Sequence, residues 1–265
     1  MKPAARLSDD QLLAIYDERY VDVYDPHAVQ RMRRLVPLVE LSGNDVVADF
    51  GCGNGVLLEL IAPKVREYIG VDFSEPFVRA AEQRRSARGI HNGRFVQQDI
   101  VAFCAEHRNR FDAAFAIDFS EHLYDDQFLT VFSAIRGTLK PGGSLYVHTP
   151  NAEYFMERFK ASGVMTQVEG HVGVRDAAQH RALLAQCGFT NVEVRYLAHY
   201  LAFASKLHFL GALPFVGKSF RARLFIRALR PDAASATQAS AFSTSPNEII
   251  MVIGSTGDDE KPALS

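Results

Sequence analysis

The sequence predicts an α/β fold, an open and mainly parallel sheet with helices on both faces, and three observations carry that expectation. Short apolar runs of strand length alternate with amphipathic stretches of helix length. Residues 46–55, VVADFGCGNG, make a hydrophobic strand that breaks into a turn with Gly51, Gly53 and Gly55. Acids recur at the carboxyl ends of successive apolar runs, where an open α/β sheet binds its ligand. With 265 residues, 48% hydrophobic and 23% charged, the chain can bury a full core, and α/β folds of this length are often single units.

The opening segment reads as a helical cap over 1–40. Ser8 before Asp9, Asp10 and Gln11 is an N-cap with acids in the first turn. Leu12, Leu13, Ile15 and Tyr16 add an apolar stripe, and a second helix spans Pro26 to Glu40. Tyr16, Tyr20 and Tyr24, four apart, share one helix face that serves either packing or a lid. Strands follow at 46–50, 67–71, 93–97, 111–117 and 143–148, with helices at 55–62, 76–88, 100–107 and 126–139 between them. A helix at 175–187 and a strand at 191–198 continue the sheet, and EIIMVIG at 248–254 is assigned as its final strand. The core therefore comprises 41–198 and 247–255, with an insertion at 199–246 and a disordered tail at 256–265.

Residues 199–230 are apolar and aromatic, with Lys206, Lys218, Arg221, Arg223, Arg227 and Arg230 and no acid between Val194 and Pro231. The cations interrupt the segment too often for a spanning helix. Its composition suits a peripheral membrane contact, and equally a substrate lid or a homodimer interface. Residues 231–246 are small and polar, as in a flexible connector.

A net charge of −2 gives no global attraction to nucleic acid, and no nucleic-acid partner is expected. Cys52, Cys104 and Cys187 have no ligand-like spacing, so neither a metal site nor a disulfide framework is expected. The N-terminus has acids where a secretion signal needs an apolar run, which makes the cytoplasm the expected compartment, with 199–230 able to touch the inner membrane face.

Asp49 closes the first strand, Asp72 the second within VDFS, Asp99 the third within QQDI and Asp118 the fourth within AIDFSEH. Val56 stands where a dinucleotide fingerprint has its third glycine, and Asp49 would repel a pyrophosphate. Both disfavour a nucleotide-dependent oxidoreductase. An acid beside bare backbone suits a ligand with positive charge or hydroxyl donors, and Asp72 is spaced to grip a ribose diol.

These stretches, with LKPGGSLYVHTPN at 139–151, resemble in order and spacing the motifs of class I S-adenosylmethionine-dependent methyltransferases, closest to quinone and natural-product O-methyltransferases. The resemblance spans roughly 45–152. It implies a Rossmann-like seven-stranded sheet of order 3-2-1-4-5-7-6 with the last strand antiparallel, and S-adenosylmethionine as cofactor. It further implies that Asp49, Gly51, Cys52, Gly53, Asn54 and Gly55 surround the methionine part. Asp72, Phe73 and Ser74 then take the ribose, Asp99 and Ile100 the adenine, and Asp118 and Phe119 approach the methionine end, with Tyr20 closing from the cap. The implied activity is methyl transfer to a hydrophobic small molecule, most readily at a hydroxyl. N- or C-methylation and a non-catalytic cofactor-binding protein stand as alternatives.

Transfer from a sulfonium asks the protein mainly for alignment, which supplies up to ~7–11 kcal/mol in well-oriented cases. A base is needed only when the acceptor must lose a proton. His122, just past the fourth strand, and His171, in the glycine-flanked QVEGHVGVR, are the candidates.

Overall fold

The computed structural model describes residues 28–168, 170–199 and 217–232, with positions 6, 8, 11, 14 and 15. Tyr20 and most of the expected cap, residues 200–216 and residues 233–265, which include EIIMVIG, lie outside the described residues.

A short helix α1 (Ala28–Arg33) precedes an alternation of strands and helices. In chain order these are β1 (Val46–Phe50), α2 (Val56–Ile61), β2 (Glu67–Asp72), α3 (Glu75–Ala87), β3 (Gly93–Gln97), α4 (Ile100–Glu106) and β4 (Phe111–Ile117). Then come α5 (Asp125–Thr138), β5 (Leu139–Pro150), α6 (Phe155–Ala161), α7 (Ala177–Gln186), β6 (Thr190–Leu197) and β7 (Arg223–Leu229). They form one seven-stranded sheet of order β3-β2-β1-β4-β5-β7-β6. Pairings among β1–β5 are parallel, and β7 runs antiparallel to both β5 and β6.

Side chains alternate across a strand, and here both faces are apolar. Ala114 and Ala116 of β4 join one core with Phe50, Phe103, Phe128 and Phe132. Ala113, Phe115 and Ile117 join the other with Val47, Tyr68, Tyr146 and Phe225. Helices cover both surfaces, as parallel strands with continuous hydrophobic runs require. Tyr146 also fastens the segment before β1: its hydroxyl accepts from the Glu40 amide at 3.0 Å and donates to the Glu40 carbonyl at 3.2 Å.

The seventh strand corrects the expected assignment. Arg223–Leu229, placed within the insertion from sequence, fills the position between β5 and β6 that was given to 248–254. RLFIRAL alternates in the required way: Leu224, Ile226 and Ala228 enter one core and Phe225 the other. Its cations find acids elsewhere in the chain, Arg223 at Asp118 (3.3 Å) and Arg227 at Glu40 (2.8 Å). Arg230 closes the strand by donating to Asn109 Oδ1 at 2.6 Å and to the Leu139 carbonyl. A basic run without local acids is therefore part of the sheet here. Among the described residues, no helix is long and apolar enough to cross a membrane.

Candidate active site at the carboxyl ends of the strands

The turn after β1 is shaped by close approach. Gly51 has φ 69°, and a Cβ there would sit 2.6 Å from the Phe119 ring. Gly55 has φ 75°, and its Cβ would sit 2.6 Å from Phe95 and 2.9 Å from Ala81. Only glycine meets both demands. The Gly51 and Cys52 amides donate to the Val71 carbonyl at 2.9 and 3.2 Å, which locks the turn to β2. Cys52 is buried, and Arg84 of α3 donates to the Asn54 carbonyl at 2.9 Å.

The four rim acids divide into two kinds. Asp49 is 2% exposed and accepts a hydrogen bond from the Tyr68 hydroxyl. Burial pushes its carboxyl up to about 7, the Tyr68 hydrogen bond opposes the rise, and the neighbouring Asp72 charge adds to it. Asp72 accepts the Gly53 amide on Oδ2 and the Ser74 amide on Oδ1, each at 3.0 Å. Burial raises its pKa as well, against those amides and that of Phe73. Asp99 is exposed, caps α4 by accepting the Ala102 amide at 2.8 Å, and lies beside buried Ile100. Phe73 is partly exposed at the same rim. No cation of the described residues pairs with these three acids. A ligand that brings its own positive charge and hydroxyl donors matches this set.

Asp118 differs. It lies in the left-handed region, φ 51°, which aspartate tolerates better than most residues. Arg31 of α1 approaches it at 2.8 Å, His148 of β5 at 2.7 Å and Arg223 of β7 at 3.3 Å. Burial alone would raise its pKa, yet the His148 hydrogen bond and the two guanidinium charges hold it well below the ordinary carboxylate range. Asp118 is thus the anchor of a buried ion-pair group joining α1, β4, β5 and β7. Phe119 packs against Gly51 and stacks on Phe132 at 6.3 Å.

Beyond Asp118, the Ser120–His122 turn meets the loop at 170–173. The His122 and His171 rings lie edge to face, 4.9 Å apart. His122 Nδ1 bonds the Gly170 carbonyl at 3.1 Å. Burial lowers the pKa of His122, and burial with the charges of His122, Arg223 and Lys160 takes His171 down to about 3. Both imidazoles are therefore neutral at pH 7. Glu121 is 1% exposed and accepts Thr149 Oγ1 at 3.1 Å. Burial and the Asp118 charge push it up to about 8, against Arg223. Glu121, His122 and His171 each offer a ligand atom within 4.8 Å of the others, a donor set that a divalent cation accepts. Local spacing in sequence could not show it, because His171 comes from a distant loop.

Arg175, 3% exposed, staples the two loops. It donates to the carbonyls of Ser120 (2.9 Å), Gly173 (2.7 Å) and Leu123 (2.6 Å), and to Asp125 Oδ1 (2.8 Å). The Gly173 amide returns a bond to the Glu121 carbonyl at 2.9 Å. Sequence reasoning missed Arg175, Arg31 and Arg223. Only the adjacency of Glu121 to His122 hinted that this corner was more than a helix start.

Comparison with known proteins gives consistent likenesses. Residues 47–143 match the model of a methyltransferase domain. The chain is 28% identical over 163 residues to a ubiquinone biosynthesis O-methyltransferase of Coxiella burnetii, covering 58% of this chain and 68% of that relative. It is 30% identical over 127 residues to that of Methylococcus capsulatus, covering 47% and 52% respectively. Among solved structures, it resembles phosphoethanolamine N-methyltransferase 2 of Haemonchus contortus in complex with S-adenosyl-L-methionine: TM-score 0.62, 16% identity, 87% of this chain and 61% of that one. A methyltransferase from Archaeoglobus fulgidus gives TM-score 0.58 and 18% identity over 82% and 98%. At these identities the solved structures show the shared fold.

Proposed function

We propose that this chain is a class I S-adenosylmethionine-dependent methyltransferase, as the matched domain at 47–143 supports, and that it transfers the cofactor's methyl group to a hydroxyl of a hydrophobic small molecule. The observation that carries the choice of a hydroxyl is the imidazole of His122, held by the Gly170 carbonyl and set edge to face against the His171 ring at the rim where the acceptor would approach. A neutral imidazole takes the proton that an oxygen nucleophile must lose. The relatives named as O-methyltransferases support the same reading, as do the exposed apolar side chains Phe159, Val164, Met165 and Val168 for a hydrophobic acceptor.

The cofactor, when bound, supplies a methyl group already activated on a sulfonium. The chain's part is to hold and align. Asp72 takes the ribose hydroxyls on the lone pairs its backbone bonds leave over, and Asp99 with Ile100 takes the adenine. The Gly51–Gly55 turn admits the methionine part beside Asp49, which answers its ammonium. Arg31, held by Asp118, answers its carboxylate. His122 receives the acceptor's proton while the His171 ring packs against it, and the buried setting excludes competing water.

The test is calorimetry of the whole chain with S-adenosylhomocysteine and with NADH. S-adenosylhomocysteine binds and NADH does not. His122→Ala lowers turnover and leaves cofactor affinity in place. Binding of NADH in the absence of S-adenosylhomocysteine binding overturns the cofactor assignment, and unchanged turnover in His122→Ala removes that residue from the chemistry.

A further inference from the structure

We infer that Tyr68 is a positioning residue for the cofactor: its hydroxyl holds the Asp49 carboxylate by one oxygen and leaves the other, with its charge unspent, for the ammonium of the methionine part. The inference rests on the methyltransferase reading above and deepens it at the methionine end of the cofactor.

The placement follows from the register of the two strands. β1 and β2 run parallel, with Val47 opposite Tyr68 and Asp49 opposite Gly70. Side chains two apart share a face of a strand, so Tyr68 and Asp49 lie on one face, a single step out of register. Gly70, opposite Asp49, puts no side chain in the way. The phenol therefore reaches along the strand, and its hydroxyl donates to Asp49 Oδ2. The ring that carries it is fixed: Tyr68 is 0% exposed and meets Phe95 edge to face at 6.1 Å. The Tyr68 amide donates to the Asn92 carbonyl at 2.9 Å.

The other acids of the rim show what a different support would do. Asp118 is met by Arg31, Arg223 and His148, so its charge is answered inside the protein. Asp72 accepts two backbone amides. Among the described residues, Asp49 has the Tyr68 hydroxyl as its hydrogen-bond partner and no cation. A hydroxyl supports a carboxylate without adding positive charge. The groups that face Asp49 do not neutralise it either. β2 contributes Tyr68 and Asp72, and the turn contributes Cys52; burial pushes the Tyr68 phenol and the Cys52 thiol well above their ordinary values. β4 sets Phe115 beside Asp49 in register, and Arg31 of α1 is taken by Asp118. Burial thus brings Asp49 up to about 7, with Tyr68 opposing the rise. When an ammonium arrives, Asp49 releases its proton to solvent and the ion pair forms.

The experiment measures, on the full chain from pH 5 to pH 8, the affinities of S-adenosylhomocysteine and of 5′-methylthioadenosine, which has the nucleoside thioether without the ammonium and carboxylate. Their ratio cancels what Asp72 and Asp99 contribute to the shared nucleoside. In the wild type the ratio should climb about tenfold per pH unit below 7 and level off above it. In Tyr68→Phe the climb should continue to pH 8. The ratio at pH 7 then falls roughly 5-fold to 50-fold, the effect of one hydrogen bond lost from a charged acceptor, while 5′-methylthioadenosine affinity holds. Asp49→Asn should flatten the ratio across the whole range. A wild-type ratio that does not change with pH, a Tyr68→Phe profile that levels off where wild type does, or a variant that loses both ligands equally would overturn the role of Tyr68 alone. Failure of the wild type to bind either ligand would overturn the cofactor assignment beneath it.

Discussion

Asp49→Asn should make the protein more stable and worse at holding its cofactor, and the stability gain should grow with pH. In the fold, burial lifts the Asp49 carboxyl from the ordinary 3.8 to about 7. A carboxyl whose pKa is higher folded than unfolded favours the native state while both forms are protonated, below 3.8, and loses that advantage as pH rises through 7. Each pH unit between the two values is worth 1.36 kcal/mol, so ionising Asp49 in place costs about 4 kcal/mol by pH 8. Asparagine keeps an oxygen for the Tyr68 hydroxyl and carries no charge to bury. The variant and wild type should therefore match below pH 4, diverge steadily between pH 4 and pH 7 and level off above it, reaching a Tm difference of roughly 10 °C at pH 8. Thermal and urea melts across pH 4–9 measure the gap, and calorimetry measures the accompanying loss of S-adenosylhomocysteine affinity. A gap that is the same at pH 5 and pH 8 would refute the reasoning, because only the charge of Asp49 makes it pH-dependent.

Asp72→Asn should weaken S-adenosylhomocysteine binding by roughly 10-fold to 150-fold, the loss of one hydrogen bond to a charged acceptor at ~1.5–3 kcal/mol; titration within threefold of wild type would remove Asp72 from the ribose. Arg175→Met should cost about 3–5 kcal/mol, since it leaves several buried carbonyls unpaired, and should lower turnover more than cofactor affinity, because the His122 and His171 loops lose their staple. Partial recovery of turnover in Arg175→Lys, with cofactor affinity constant, is the expected pattern; equal loss of both would mean that the residue serves the fold alone.

The strands β1–β5 and their order of appearance could be read from sequence because each is an apolar run interrupted by turn residues, with helices between. β7 could not, since RLFIRAL carries two arginines whose partners, Asp118 and Glu40, lie far away in the chain. Charge alone made it look like surface. The rim acids were legible as a row, but their inequality was not. Asp49 and Asp118 occupy equivalent strand ends, and only the fold brings Arg31 and Arg223 to one of them. Tyr68 and Arg175 gave no signal for the same reason. Their significance comes from which polar atoms are bonded and which are not, and sequence spacing carries no record of that.

The position of β7 also bears on the birth of the molecule. Among the described residues, β6 pairs with the sheet only through β7, although β7 leaves the ribosome later. While β7 is still in the exit tunnel, β6 has nothing to pair with, the β5 edge stays open, and Asp118 lacks one of its two arginines. The last-made of the described strands thus seals the sheet and completes the site together, so a nascent chain stalled before Arg223 should expose a sticky edge that chaperones would have reason to guard.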